Sequence, residues 1–242
     1  MEKKILNIST RKVNLNFAGV LLLAIFLTAF TTSKMHQQMD ELTVKRINII
    51  EDDGTIRMVL SNKARQHSGR MDGVDVPFRE RHAGMIFFND EGDECGGLIY
   101  GVSGENGRKS SGMSLTFDQY KNDQVIQILN KEMVEGEKIH SSRGFMINDF
   151  PQGSTLMQTM RDMEAAKEIE DKNERRKRMM EIQEQGGPRP LVFLGKSRDG
   201  SNGLFLNDEN GNPKLMIYVD GNGNPKIQTM DENNELKDLL EK

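Results

Sequence analysis

The chain has no tryptophan, a single cysteine and no excess of positive charge. With Cys95 as the only thiol, no intrachain disulfide can form, which an exported protein tolerates because oxidising compartments permit bridges without demanding them. A net charge of −4 repels phosphate backbones and argues against nucleic acid as a partner. An apolar fraction of 36% beside 29% charged residues suits a thin, loop-rich domain better than a large enzyme core. Neither a Gly-x-Ser-x-Gly elbow, a phosphate loop nor a dinucleotide fingerprint stands at a strand-to-helix turn. His36, His67 and His140 show no metal-ligand spacing with one another or with Cys95, and no cofactor is implied.

What the sequence does contain begins with one apolar run. From Val13 to Ser33 no residue is charged, and a helix needs about 20 largely apolar residues to cross a bilayer core. Lys3, Lys4, Arg11 and Lys12 precede the run, whereas Asp40 and Glu41 follow it. The positive-inside rule then assigns 1–12 to a cytoplasmic leader, 13–33 to a transmembrane anchor or uncleaved signal, and 34–242 to the far side. Thr31-Thr32-Ser33 is a poor small-x-small cleavage site. The expected location is therefore the cytoplasmic membrane, single-pass, with the C-terminal domain outside.

Residues 34–242 read as β-hairpins. Arg46 to Ile50 and Thr55 to Leu60 flank the turn Glu51-Asp52-Asp53-Gly54. Period-two alternation about Asp-Gly is a strong hairpin signal. It points Ile47, Ile49, Ile56, Met58 and Leu60 one way, with Arg46, Asn48 and Arg57 opposite. The scheme recurs at Met85–Phe88 with Gly97–Tyr100 and at Ser114–Phe117 with Val125–Ile128. Gly211-Asn212-Pro213-Lys214-Leu215 then returns twelve positions later as Gly223-Asn224-Pro225-Lys226-Ile227. Leu204, Leu206, Leu215, Ile217, Val219, Ile227 and Thr229 should share one buried face. The fold class is mainly β, an antiparallel hairpin meander closing as a barrel, sandwich or propeller-like ring. Residues 154–185 break the cadence and predict one inserted charged helix, with Leu156, Met160, Met163 and Ile169 on one side. That helix is either a solvated arm or a surface for a protein partner.

Two groups of residues invite chemistry. Cys95, with Glu94, His82 and Asp118, could form a nucleophilic site, Gly96 and Gly97 offering N–H groups to an oxyanion. The surrounding acids, however, raise a thiol's pKa instead of lowering it. Asp208, Asn210, Asp220 and Asn222 offer alternate oxygens of the kind calcium requires. Yet Pro213 and Pro225 stand where a calcium loop has its glycine, and Asn, Asp and Gly are also the residues of tight turns.

The segments around Arg46-Ile47-Asn48-Ile49, Gly84 to Gly97 and Leu115-Thr116-Phe117-Asp118-Gln119-Tyr120 resemble an uncharacterised group of bacterial exported, membrane-anchored β-hairpin-repeat proteins. The resemblance implies a bacterial source and carries no activity with it. The expected function is a membrane-tethered extracytoplasmic binding or scaffolding module. An extracytoplasmic enzyme using Cys95 and a calcium-stabilised β-module are the alternatives. A reporter fused after Lys242 should behave as exported, and salt washing should leave the protein with the membranes. A soluble form starting near Lys34 would contradict the retained anchor.

Overall fold

The computed structural model describes residues 38–76, 80–105 and 107–241. The chain divides into two units at residue 43. Of the first, only 38–43 are described, and they hold no regular element. The anchor expected at 13–33 lies outside the described residues, among which no helix is long and apolar enough to cross a membrane.

The second unit is built on one antiparallel sheet. Its first strands are β1 (Arg46–Ile50), β2 (Ile56–Ser61), β5 (Ala83–Phe88) and β6 (Glu94–Ser103). The long central strands follow: β7 (Arg108–Asp118), β8 (Gln124–Glu135) and β9 (Lys138–Asp149). The sheet ends with β10 (Arg189–Lys196), β11 (Asn202–Asn207), β12 (Pro213–Val219), β13 (Pro225–Met230) and β14 (Leu236–Asp238). These twelve strands pair in chain order, and β1 does not meet β14. The sheet is an open meander, so the closed ring among the expected forms does not occur. A separate two-stranded hairpin, β3 (Arg70–Met71) with β4 (Val74–Asp75), interrupts the connection from β2 to β5.

The hairpins share one turn. Asp220 N–H donates to Asn224 O at 2.9 Å and Gly223 N–H to Asp220 O at 3.0 Å, and the same pair of bonds recurs at Asp208–Asn212, Asp231–Glu235 and Asn89–Asp93. In each the side chain of the leading Asp or Asn caps the loop: Asp220 Oδ1 accepts from the N–H of Asn222 (2.9 Å) and of Asn224 (2.8 Å). Gly223 adopts φ +89°, a left-handed conformation that glycine reaches without a Cβ penalty. Pro213 and Pro225 open β12 and β13, the strand position where a missing N–H is tolerated.

Directly opposed residues share a face of a sheet, and the register separates the two. On the first face Asn48, Val59, Ile86, Gly97 and Thr116 are aligned. Here lies the core: Val59 and Ile86 at 0% exposure with Phe88 at 3%, flanked by Ile56 and Ile99. Each such side chain contributes about 1.5–3 kcal/mol by leaving water. The cover is the flap made by residues 62–76 and 80–82. Met71 within it is buried, and the ring of His67 meets that of Phe88 edge-on at 4.9 Å. Burial there pushes the His67 imidazole below its ordinary pKa. Towards the far end of the same face, Phe193, Phe205 and Tyr218 stack at 5.8 and 5.5 Å. Phe193 lies over Gly144, where a Cβ would meet its ring at 2.6 Å.

This reverses one expectation. Ile47, Ile49, Met58 and Leu60 do share a face, but it is the second one, with Ile49 49% exposed, whereas Ile56, beyond the register shift, packs against the core of the first. Likewise Leu204, Leu206, Leu215 and Ile217 are aligned as expected, yet Ile217 and Val219 are exposed. Alternation defines which side chains point together. It does not reveal which face a later segment will cover.

The insertion is a helical hairpin and not one helix: α1 spans Leu156–Lys167 and α2 spans Lys172–Gly186. The break falls where Asp171 caps α2, accepting from the N–H of Asn173 (2.9 Å) and of Glu174 (2.8 Å). A side-chain cap there outcompetes continuation of the helix. Glu168 ends α1 and Lys172 opens α2, so these two residues, four apart, form no pair along one helix, and Arg178 pairs with Glu181 at 3.3 Å. Ala166 and Ile182 are buried in the hairpin. Its root is held by Asn122, whose Nδ2 donates to the O and Oγ of Ser154, both at 3.1 Å. Replacing 155–186 by a short Gly/Ser linker that keeps Ser154 should leave the sheet intact. Its thermal transition should move by only a few degrees, about 1 kcal/mol for a domain of this size. Loss of the β signal in circular dichroism would make the hairpin part of the core.

Candidate functional site

The second face carries a continuous apolar stripe. One row of directly opposed residues starts Ile47, Leu60, Met85, Leu98 and Leu115 on β1, β2, β5, β6 and β7. It continues Ile128, Phe145, Leu194, Leu204, Ile217 and Ile227 on β8 to β13. Every member is apolar. The next row on the same face holds Ile49, Met58, Phe87, Gly96, Phe117 and Ile126, then Ile147, Val192, Leu206, Leu215 and Thr229. Neither row contains a fully buried side chain: Leu194 is 53% and Ile128 52% exposed. Strands about 4.8 Å apart make the stripe about 48 Å long, and two rows about 7 Å apart with their side chains make it about 14 Å wide. At roughly 650 Å² it exceeds the apolar patches that monomeric soluble proteins leave open.

On the first face, the flap is pinned by two ionic contacts. The half-buried Arg81 guanidinium grips the Glu94 carboxylate with bonds of 2.7 and 2.6 Å. Gly69 of the flap passes so close that a Cβ would stand 2.7 Å from Glu94 Oε2. At the tip, Lys121 Nζ gathers Asp93 (2.6 Å), Glu91 (2.7 Å) and Asp72 (3.0 Å). Gly73 N–H adds a bond to Asp93 Oδ1 at 3.3 Å. Asp72 and Gly73 belong to the flap, whereas Lys121, Glu91 and Asp93 belong to turns of the sheet. The Lys121 ammonium is held well above its ordinary pKa by Asp93 first, then Glu91 and Asp72. Lys121 and Tyr120 in turn lower Glu91.

The four residues of the nucleophile reading do not assemble. Glu94 is committed to Arg81. His82 and Glu94 border one open groove, Glu94 and Asp118 another, and Cys95 lines neither. Cys95 is the additional residue at the bulge between the Phe88–Glu94 and Phe87–Gly96 pairs. Burial, then the Asp118 charge, pushes its thiol above the ordinary value, opposite to what a nucleophile needs. The His82 ring lies over Gly101, six residues along β6 and therefore roughly 20 Å from Cys95.

Of the calcium candidates, Asp208 and Asp220 serve as turn caps. Asp208 Oδ1 accepts from the N–H of Asn210 and of Asn212, each at 2.9 Å. Its carboxyl is lowered chiefly by the Asn212 N–H, and that of Asp220 chiefly by the Asn224 N–H. The Asn210 and Asn222 side chains stand at exposed turn positions. Among the described residues no three His, Cys, Asp or Glu gather as a metal site.

No protein-family model, curated protein or solved structure matches the chain. The functional reading therefore rests on the geometry alone.

Sequence reasoning missed both the ion cluster and the continuity of the stripe. Lys121 meets partners distant along the chain, a link that local periodicity does not record. The cluster yields a pH test. The lysine's contribution is complete below its ordinary pKa of 10.5 and disappears as pH rises through its elevated folded value. The Glu91 contribution is complete above 4.5 and disappears as pH falls through its lowered value. Amide protection of 69–76 should therefore be greatest between about pH 5 and pH 10. Lys121→Met should speed exchange in that segment several-fold at pH 7. Unchanged exchange would show that the Lys121 cluster does not hold the flap.

Proposed function

We propose that this chain is a non-catalytic binding and scaffolding module, tethered on the outer side of the cytoplasmic membrane through residues 13–33, which works through the second face of its sheet. One observation carries the reading: a two-row apolar stripe crosses eleven strands and stays uncovered among the described residues. Exposing so much apolar surface is unfavourable, and docking removes the cost. The helical hairpin is a weaker candidate surface, because α2 is polar on nearly every side and such helices commonly bridge solvent. Against a catalytic role for Cys95 stand its raised thiol pKa and its place outside the grooves that His82, Glu94 and Asp118 border.

The test uses a photo-crosslinking amino acid placed at Ile128 in the full chain, expressed in cells. Position 131, exposed on the other face of β8, is the control. Discrete adducts from 128 and none from 131 are expected. Equal labelling at both, or no adduct at 128, would remove the stripe as the working surface.

A further inference from the structure

Resting on that reading, we infer that the occupant of the stripe is a second copy of this chain, packed face to face as a two-fold β-sandwich. Three features argue for it.

The first is area. Two stripes of roughly 650 Å² bury about 1,300 Å² in total, within the range of specific protein interfaces, and the side chains per copy match the usual 20–30. The second is charge. The first row has no ionisable residue, so self-packing opposes no like charges. Beside it, Arg143 is already paired with Glu132 of its own copy. The third is shape. Adjacent strands rotate by roughly 20°, and this accumulates over the sheet. A flat bilayer would touch only a few strands of such a stripe. Another sheet of the same hand follows it along its whole length, as aligned sandwiches do at about 10 Å separation.

A closed pair must be isologous. Greatest overlap of the stripes then puts the two-fold axis through the middle of the row, at Ile128, the sixth of its eleven residues. Each copy therefore presents Ile128 to the partner's Ile128.

The experiment uses the full chain in its native membranes, with Cys95→Ser removing the only other thiol. Ile128→Cys treated with a bismaleimide of about 10 Å reach should yield a covalent band of twice the chain mass in most of the protein. Lys131→Cys, on the opposite face of the same strand, should yield none. Adding Leu194→Glu to the Ile128→Cys chain should abolish the band while circular dichroism retains the sheet. A monomer band alone overturns the inference, and so does equal linking at 131. Dimers formed through the β1 and β14 edges would hold the two 128 positions apart and give that negative result. The two readings separate cleanly. Photo-adducts at 128 whose masses differ from twice the chain leave the stripe a docking surface and remove self-association, whereas no adduct of any mass removes both.

Discussion

Cohesion in this molecule depends on the hydrogen-bonded ladder between successive strands. Twelve strands pair in chain order, so each strand of the large sheet bonds only to its neighbours in that order, and apart from the two-stranded β3–β4 hairpin of the flap no second sheet lies against the first among the described residues. Only seven apolar side chains in that part of the chain are fully buried, and two of those, Ala166 and Ile182, sit in the helical hairpin. An antiparallel sheet can leave one face to water when that face is polar. Here the covered face is the mixed one, with glycines, serines and aromatics, and the uncovered face is the apolar one. That inversion is what singles out the second face as the proposed docking surface.

Local chemistry was readable in the sequence to a high degree. The Asp-Gly turns, the literal repeat at Gly211 and Gly223 and the alternation of Ile47 with Ile49 and of Leu204 with Leu206 predict hairpins, and hairpins form. The turn reading of Asp208 and Asp220 follows from the same residues, because a carboxylate one turn ahead of two free N–H groups has its partners within reach. The helical insertion was legible as helical but not as two helices. The decisive residue, Asp171, resembles a member of an i,i+4 pair until it is seen capping Asn173 and Glu174.

The rest depends on contacts that leave no periodic trace. In sequence the flap reads as a loop of mixed polarity, yet Met71 and His67 close the core over Phe88. Lys121 reads as an ordinary turn lysine, and only the folded chain brings Asp72, Glu91 and Asp93 around it. The expected buried face was assigned by alternation alone, which is symmetric between the two sides. Coverage by the flap breaks that symmetry in favour of Val59. The cysteine site failed for a geometric reason as well. Glu94 stands next to Cys95 in sequence, but its carboxylate is held by Arg81, and extended β6 carries the His82 ring, over Gly101, away from the thiol.

The twelve-residue unit shared by β12 and β13 makes the sheet a ruler. Each unit brings its own capped turn, its leading proline and one apolar residue for the row, so it needs nothing from strands beyond its immediate neighbours. Duplicating one unit would lengthen the molecule by about one strand spacing, 4.8 Å, and move the C-terminus to the opposite end of the strands. Duplicating two would restore its side. Sheet length is thus a quantity that gene duplication can change in discrete steps while turn chemistry and facing are preserved, and only even steps keep whatever follows residue 242 on its original rim.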